Sequence, residues 1–161
     1  MRRAGAKNLS LAYGLLGLCF FIYEILTSVF SFLPLLYGFF FCYAFVLLKE
    51  QERTLLRLDF RWFFTLAFLL FADITHDFFL FSSWFAFFIF YYVLADWIRG
   101  NFKIARSIPI IFILSAYGLI FVGDWVLSYV NNQNVKIIHL SYALPICIEA
   151  LLGYVFFKGR I

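Results

Sequence analysis

Apolar residues along this chain do not alternate with polar ones; they run in helix-length blocks separated by short polar breaks. The blocks fall at about 9–30, 33–48, 62–80, 82–98, 108–130 and 137–157. Crossing a ~30 Å hydrocarbon core takes about 20 mostly apolar residues in helix, so each block predicts a transmembrane helix. The blocks are too long for barrel strands and lack the two-residue rhythm of an outer-membrane barrel. The expected fold class is all-α: a polytopic integral membrane protein of six transmembrane helices, forming a single domain over 1–161.

Local signals place the ends. Pro34 is positioned to open the second helix and Pro109 the fifth, with Ser107 available as its cap, because proline in a first turn sacrifices no hydrogen bond. The run Asn131, Asn132, Gln133, Asn134 separates the fifth block from the sixth. Pro145 lies inside a block and cannot donate to the carbonyl of Ser141, which predicts a bend there.

Composition turns this pattern into an exclusion. Of 161 residues, 65% are hydrophobic, 24% aromatic and 14% charged, against roughly 25% charged in ordinary globular chains. A water-soluble single domain is excluded. Charge then gives orientation. Arg2, Arg3 and Lys7, then Lys49, Arg53, Arg57 and Arg61, then Arg99, Lys103 and Arg106, and finally Lys158 and Arg160 all fall on one side of a six-span topology. Of the 13 basic residues only Lys136 falls on the other. The positive-inside rule places both termini in the cytoplasm. The net charge of +4 reads as topogenic, reinforced by attraction to anionic lipid heads, and implies the bilayer rather than a nucleic acid as partner.

The first block follows a basic N-terminus, as a secretory signal does, but it is longer than a signal core. Thr27, Ser28 and Val29 make a poor cleavage site, so it reads as retained. Cys19, Cys42 and Cys147 sit mid-block without CxxC pairing and read as packed thiols. The aromatic run from Trp84 to Tyr92 suits lipid contact. Ser10, Gly14 and Gly17 form a small-residue stripe where a helix of this chain or of a partner could approach closely.

Ionisable residues within spans are costly and therefore candidates for function. These are Glu24, Asp73, His76, Asp77, Asp124 and Glu149. At 1.5 Å per residue Asp73 lies roughly 16 Å into its span, near the midplane, and Glu24 and Asp124 lie roughly 22–24 Å from the cytoplasmic side. Glu149 stands near the middle of the last span on the stripe Ser141, Pro145, Glu149. Asp73, His76 and Asp77, spaced i, i+3, i+4, predict one polar helix face. That face admits three readings: a hydrogen-bonded structural notch, a cleft for a cationic or metal-bearing ligand completed by Glu24 and Asp124, or a catalytic pair with His76 as general base. A proton or ion path through Glu24, Asp73 and Asp124 is a further alternative. There is no HExxH, GxSxG, P-loop or glycine-rich phosphate cradle, and His139 reads as interfacial. The expectation is a non-enzymatic scaffold or binding protein without cofactor or metal.

Three segments carry a family resemblance: Leu70, Phe71, Ala72, Asp73 followed by Phe81, Ser82, Ser83 and the run to Asp96; Val122, Gly123, Asp124, Trp125; and Pro145 ahead of Lys158 and Arg160. Their order resembles MreD, the small six-span protein of the bacterial rod-shape (elongasome) machinery. Bulky Phe78, Phe79 and Leu80 stand where that family has glycines. The resemblance implies a cytoplasmic (inner) membrane protein that partners an MreC-like protein, and through it the MreB filament, in lateral peptidoglycan synthesis by RodA and its transpeptidase. Asp73 and Asp124 would be packing or partner contacts. The alternative is a substrate-binding membrane component of an energy-coupling-factor vitamin transporter, whose outward pocket would suit the acidic residues but whose Ala-x-x-x-Ala docking surface is missing here.

Overall fold

The computed structural model describes residues 2–30, 32–54, 59–102, 107–132, 142–159 and 161, with side chains of the first helix at 14, 15 and from 17 onward. These residues form α1 (Arg2–Val29), α2 (Tyr37–Thr54), α3 (Phe60–Thr75), α4 (Ser82–Ile89), a π-helical segment (Phe90–Leu94), α5 (Ala95–Asn101), α6 (Ile108–Val130) and α7 (Ala143–Phe157). No strand occurs among the described residues. Phe90 and Ala95 keep right-handed helical dihedrals, so α4, the π segment and α5 make one continuous rod. α2 and α6 are central: α2 packs on α3, α6 and α7, α6 also covers α4, and α1 lies against α3.

Several expected boundaries move. α1 begins seven residues before its apolar block. Pro34 does not open α2, which starts at Tyr37. The Pro34 carbonyl instead accepts the Tyr23 hydroxyl at 2.8 Å, and Leu36 adopts a left-handed φ of 60°, so the entry is an extended, pinned turn. α2 then runs past its apolar block to Thr54, its last turns held by the Lys49–Glu52 pair at 2.9 Å and by Thr54 donating to the Glu50 carbonyl at 2.8 Å.

α3 also stops early, at Thr75. His76 is the C-cap and Asp77 takes a left-handed φ of 56°. Phe78 N–H donates to the Asp73 carbonyl at 2.9 Å and Asp77 N–H to that of Ile74 at 3.4 Å. This is a Schellman closure, with a short polar side chain in the position usually held by glycine. A second left-handed residue, Phe81 with φ 69°, turns the chain into α4. The expected helical face through Asp73, His76 and Asp77 is therefore broken by backbone geometry that hydropathy does not register.

α6 coincides with its expected span, Pro109 standing at its second position. Ser107 occupies the N-cap position, but its side chain makes no capping bond. In the sixth block, 137–141 with Ser141 and His139 lie outside the described residues, as do Lys136, Arg57, Lys103, Arg106 and Arg160. Pro145 is the third residue of α7, within the first turn, where a missing N–H leaves no carbonyl orphaned.

Phenylalanine fills the interior. Phe40 and Phe68 stack at 3.9 Å, Phe45 and Phe112 meet edge-on at 5.0 Å, and Phe90 meets Phe112 at 4.8 Å; each such pair contributes about 0.5–1.5 kcal/mol beyond burial. The aromatic run expected to contact lipid is not all outward-facing: Ser83, Ala86, Phe87 and Phe90 are buried while Phe85, Phe88 and Tyr92 are exposed. Two glycines set the closest helix approaches. A Cβ on Gly38 would stand 2.6 Å from Ile113 Cγ2 and 2.9 Å from its Cα, and one on Gly153 would collide with Ile113 Cδ1. Of the expected small-residue stripe, Gly17 meets the Phe64 ring of α3, Gly14 has nothing within 4 Å, and the Ser10 side chain lies outside the described set. Cys42 is buried as expected, but Cys19 and Cys147 are exposed on the apolar exterior.

The exterior is apolar, and carboxylates are buried within the largely apolar interior. Leu15, Phe85 and Val155 are 67–70% exposed, while Glu24, Asp73 and Glu149 are fully buried. Among the described residues one helix, α6, with 23 residues and a mean hydropathy of 2.1, is by itself long and apolar enough to cross a membrane.

Candidate functional site: a buried polar network

Of the five candidate carboxylates, all but that of Asp77 are met by a neighbouring segment. The first turn of a helix leaves N–H groups without intrahelical acceptors, and apolar surroundings offer no water to take them. Here the acceptors come from other helices. Asp73, on the last turn of α3, takes the Ser83 N–H at 3.1 Å and the Ser83 hydroxyl at 2.8 Å through Oδ2. Its Oδ1 accepts the Tyr37 hydroxyl at 3.3 Å. Ser83 is the second residue of α4, so Asp73 caps that helix from outside. Glu149 of α7 does the same for α2: its Oε1 accepts the Phe39 N–H, two residues past the helix start, and its Oε2 accepts the Tyr117 hydroxyl. Asp124 of α6 takes the Phe79 N–H at 3.1 Å, holding the turn between α3 and α4. Negative groups at helix N-termini are also favoured by the helix dipole.

His76 departs from its expected partners. Its Nε2 lies 3.0 Å from Glu24 Oε1 and 3.0 Å from Thr27 Oγ1, both on α1. Because the one Thr27 hydroxyl proton goes to the Glu24 carbonyl at 2.7 Å, Thr27 Oγ1 acts toward the ring as an acceptor. His76 Nε2 must then be the protonated nitrogen, shared between the two oxygens. Asp77, in contrast, points out of the cluster and is exposed.

The pieces meet around two tyrosines. Tyr37 and Tyr117 are both buried, with ring centroids 6.2 Å apart, and the Tyr37 ring lies 6.3 Å from that of His76. Glu24 Oε2 is buried without a hydrogen-bond partner, as is Ser82 Oγ. Of the expected site residues, Glu24 and His76 bond each other, Asp73, Asp124 and Glu149 each hold their own interior donors, and Asp77 is exposed. No group of three or more His, Cys, Asp or Glu among the described residues is placed to hold a metal ion. Tyr37, Tyr117, Ser83 and Thr27 were not foreseen; Ser82 and Ser83 directly after a turn were the one sequence hint of a helix start needing acceptors.

A second polar region occupies the opposite end. Arg61 bonds Asp59 at 2.9 Å and reaches Glu50 at 3.8 Å, and the partly buried Lys49 bonds the exposed Glu52 at 2.9 Å. Asp59 also accepts the Phe60 N–H at 2.8 Å, capping α3. The Arg61 guanidinium, and after it the Phe60 N–H, hold the Asp59 carboxyl below its ordinary range, and Asp59 in turn raises Arg61. The Tyr91 hydroxyl and then Lys49 lower Glu52 in the same way. Beside this rim opens a groove of about 450 Å³ walled by Trp62, Phe88, Tyr91 and Tyr92, with Leu48, Gln51 and Glu52 along one edge.

No protein family, curated protein or solved structure matches this chain.

Proposed function

We propose that the chain is a six-span protein of the bacterial cytoplasmic membrane, with both termini inside, that acts as a non-enzymatic scaffold of the cell-shape machinery beside an MreC-like partner. The observation that carries this reading is the use of its buried carboxylates. Asp73, Asp124 and Glu149 each accept a backbone N–H from a neighbouring segment, which is an architectural task. The exposed apolar belt supports the bilayer as surroundings. The gathering of Lys49, Arg61 and Arg99 at one end, away from Thr27, His76 and Asp124, supports the orientation.

The reading is compatible with the MreD resemblance at Asp73 and Asp124, where packing or partner contacts are implied. The test is depletion in a rod-shaped host with affinity capture of the protein. Rounded cells and a co-purified MreC-like protein are expected. Unchanged rod shape together with a captured vitamin-sized ligand would overturn the scaffold reading in favour of a transporter component.

A further inference from the structure

The groove at the charged end is built differently from the rest of the exterior. Its walls are aromatic, and Tyr91 and Tyr92, successive residues with rings 5.2 Å apart, both line it. They belong to the π-helical segment, a conformation frequent at functional sites. Its polar edge holds one carboxylate, Glu52, which accepts the Tyr91 hydroxyl and pairs with Lys49 at 2.9 Å. The Lys49 ammonium is itself held 5.7 Å above the Phe45 ring and 5.5 Å above that of Tyr91. Phe88 and Tyr92 are 44% and 77% exposed, so the groove is open toward the apolar belt.

We propose that this groove binds a zwitterionic phospholipid with a primary-amine headgroup, its ammonium at Glu52, its phosphate at Lys49 and an acyl chain along Phe88 and Tyr92. The inference rests on the membrane reading above. An internal Glu52–Lys49 pair presents a minus and a plus charge side by side, the mirror of a headgroup carrying an ammonium and a phosphate. Trp and Tyr at this level, next to basic loops, are the side chains that settle among lipid headgroups. Aromatic faces beside a carboxylate favour an organic cation.

A purely anionic lipid fits less well. The charged residue lining the groove is Glu52, and a headgroup without an ammonium leaves it facing a phosphate. A quaternary amine satisfies the aromatic walls but cannot donate to Glu52 or to the Gln51 side-chain carbonyl, whereas a primary ammonium donates up to three hydrogen bonds.

The test uses the full chain, purified in detergent and equilibrated with equal amounts of phosphatidylethanolamine, phosphatidylcholine and phosphatidylglycerol, with retained lipid counted by native mass spectrometry. Phosphatidylethanolamine should be retained about tenfold over the other two, the preference expected of one charge-assisted hydrogen bond. Glu52→Gln should reduce it to the phosphatidylcholine level with an unchanged circular dichroism spectrum, since Glu52 is exposed and glutamine keeps an oxygen acceptor for Tyr91 and Lys49. Lys49→Ala should weaken all three lipids. Equal retention of the three lipids, or a preference that survives Glu52→Gln, would overturn the proposal. Cell fractionation separates the two readings. A chain found in membranes that selects no lipid defeats the groove alone, and a chain absent from membranes defeats the membrane reading on which it rests.

Discussion

Carboxylates at the two polar levels of this protein keep different company. At the charged end Glu50, Glu52 and Asp59 face lysine and arginine side chains across exposed gaps. In the interior Asp73, Asp124 and Glu149 face backbone N–H groups, and Asp73 and Glu149 also face hydroxyls. The side chains are the same; the alternatives open to their partners are not. Water and salt replace an exposed partner at small cost, so exposed pairs contribute about 0.2–1 kcal/mol. A buried donor with its acceptor removed has no replacement and loses about 1–3 kcal/mol. The interior acids therefore fix segment starts where no water can substitute, while the rim acids, Asp59 at the cap of α3 included, act where water competes.

The sharpest way to break this contrast is Asp73→Leu. The change strands the Ser83 N–H and the Tyr37 hydroxyl together, at a cost of about 1–3 kcal/mol for each stranded donor. Unfolding in mixed micelles should read the loss, alongside reduced capture of the proposed partner. Stability unchanged to within about 1 kcal/mol would mean that α4 does not need its external cap. A smaller effect is expected at the rim. Arg61→Ala removes the Asp59 and Glu50 pairs but should lower stability by less than about 1 kcal/mol. The difference from the parent protein should vanish in ~1 M salt, where the screening length is ~3 Å. A salt-independent loss as large as that of Asp73→Leu would erase the distinction between the two levels.

The same contrast explains what could be read from the sequence. α6 was legible from end to end because Pro109 and the Asn131–Asn132 turn mark both of its limits. The all-helical class followed from block hydropathy. The end of α3 was not legible, because Asp77 could equally have continued a helix; only its left-handed backbone closes the turn. Glu24, Asp73, Asp124 and Glu149 stood out as ionisable residues in apolar blocks. Their partners did not, because the partners of Asp73, Asp124 and Glu149 include main-chain N–H groups of Ser83, Phe79 and Phe39, which every residue but proline carries. Small residues misled in a similar way: the Ser10, Gly14, Gly17 spacing was visible, but the tight crossings use Gly38 and Gly153, far apart in sequence and brought together on Ile113.

The smallest expected effect is an acid response confined to the rim. Asp59 and Glu52 both titrate below their ordinary values in the folded chain, Asp59 through Arg61 and the Phe60 N–H, Glu52 through Tyr91 and Lys49. A folded-state value below the unfolded one adds stability that is fully present above the unfolded value, about 4 for these side chains. It is lost as pH falls through the lower folded value. Between pH 6 and pH 3 the Phe60 amide, which donates to Asp59 at 2.8 Å, should therefore lose protection, after correction for the intrinsic pH dependence of exchange. The first turn of α3 should fray with it, since protonated Asp59 is a poorer cap. Asp59→Asn should flatten that response, because the amide keeps an oxygen acceptor at every pH. Amide hydrogen exchange in micelles reads both. Equal acid sensitivity of Phe60 in the parent and in Asp59→Asn would place the cap elsewhere and remove Asp59 from the rim's electrostatics.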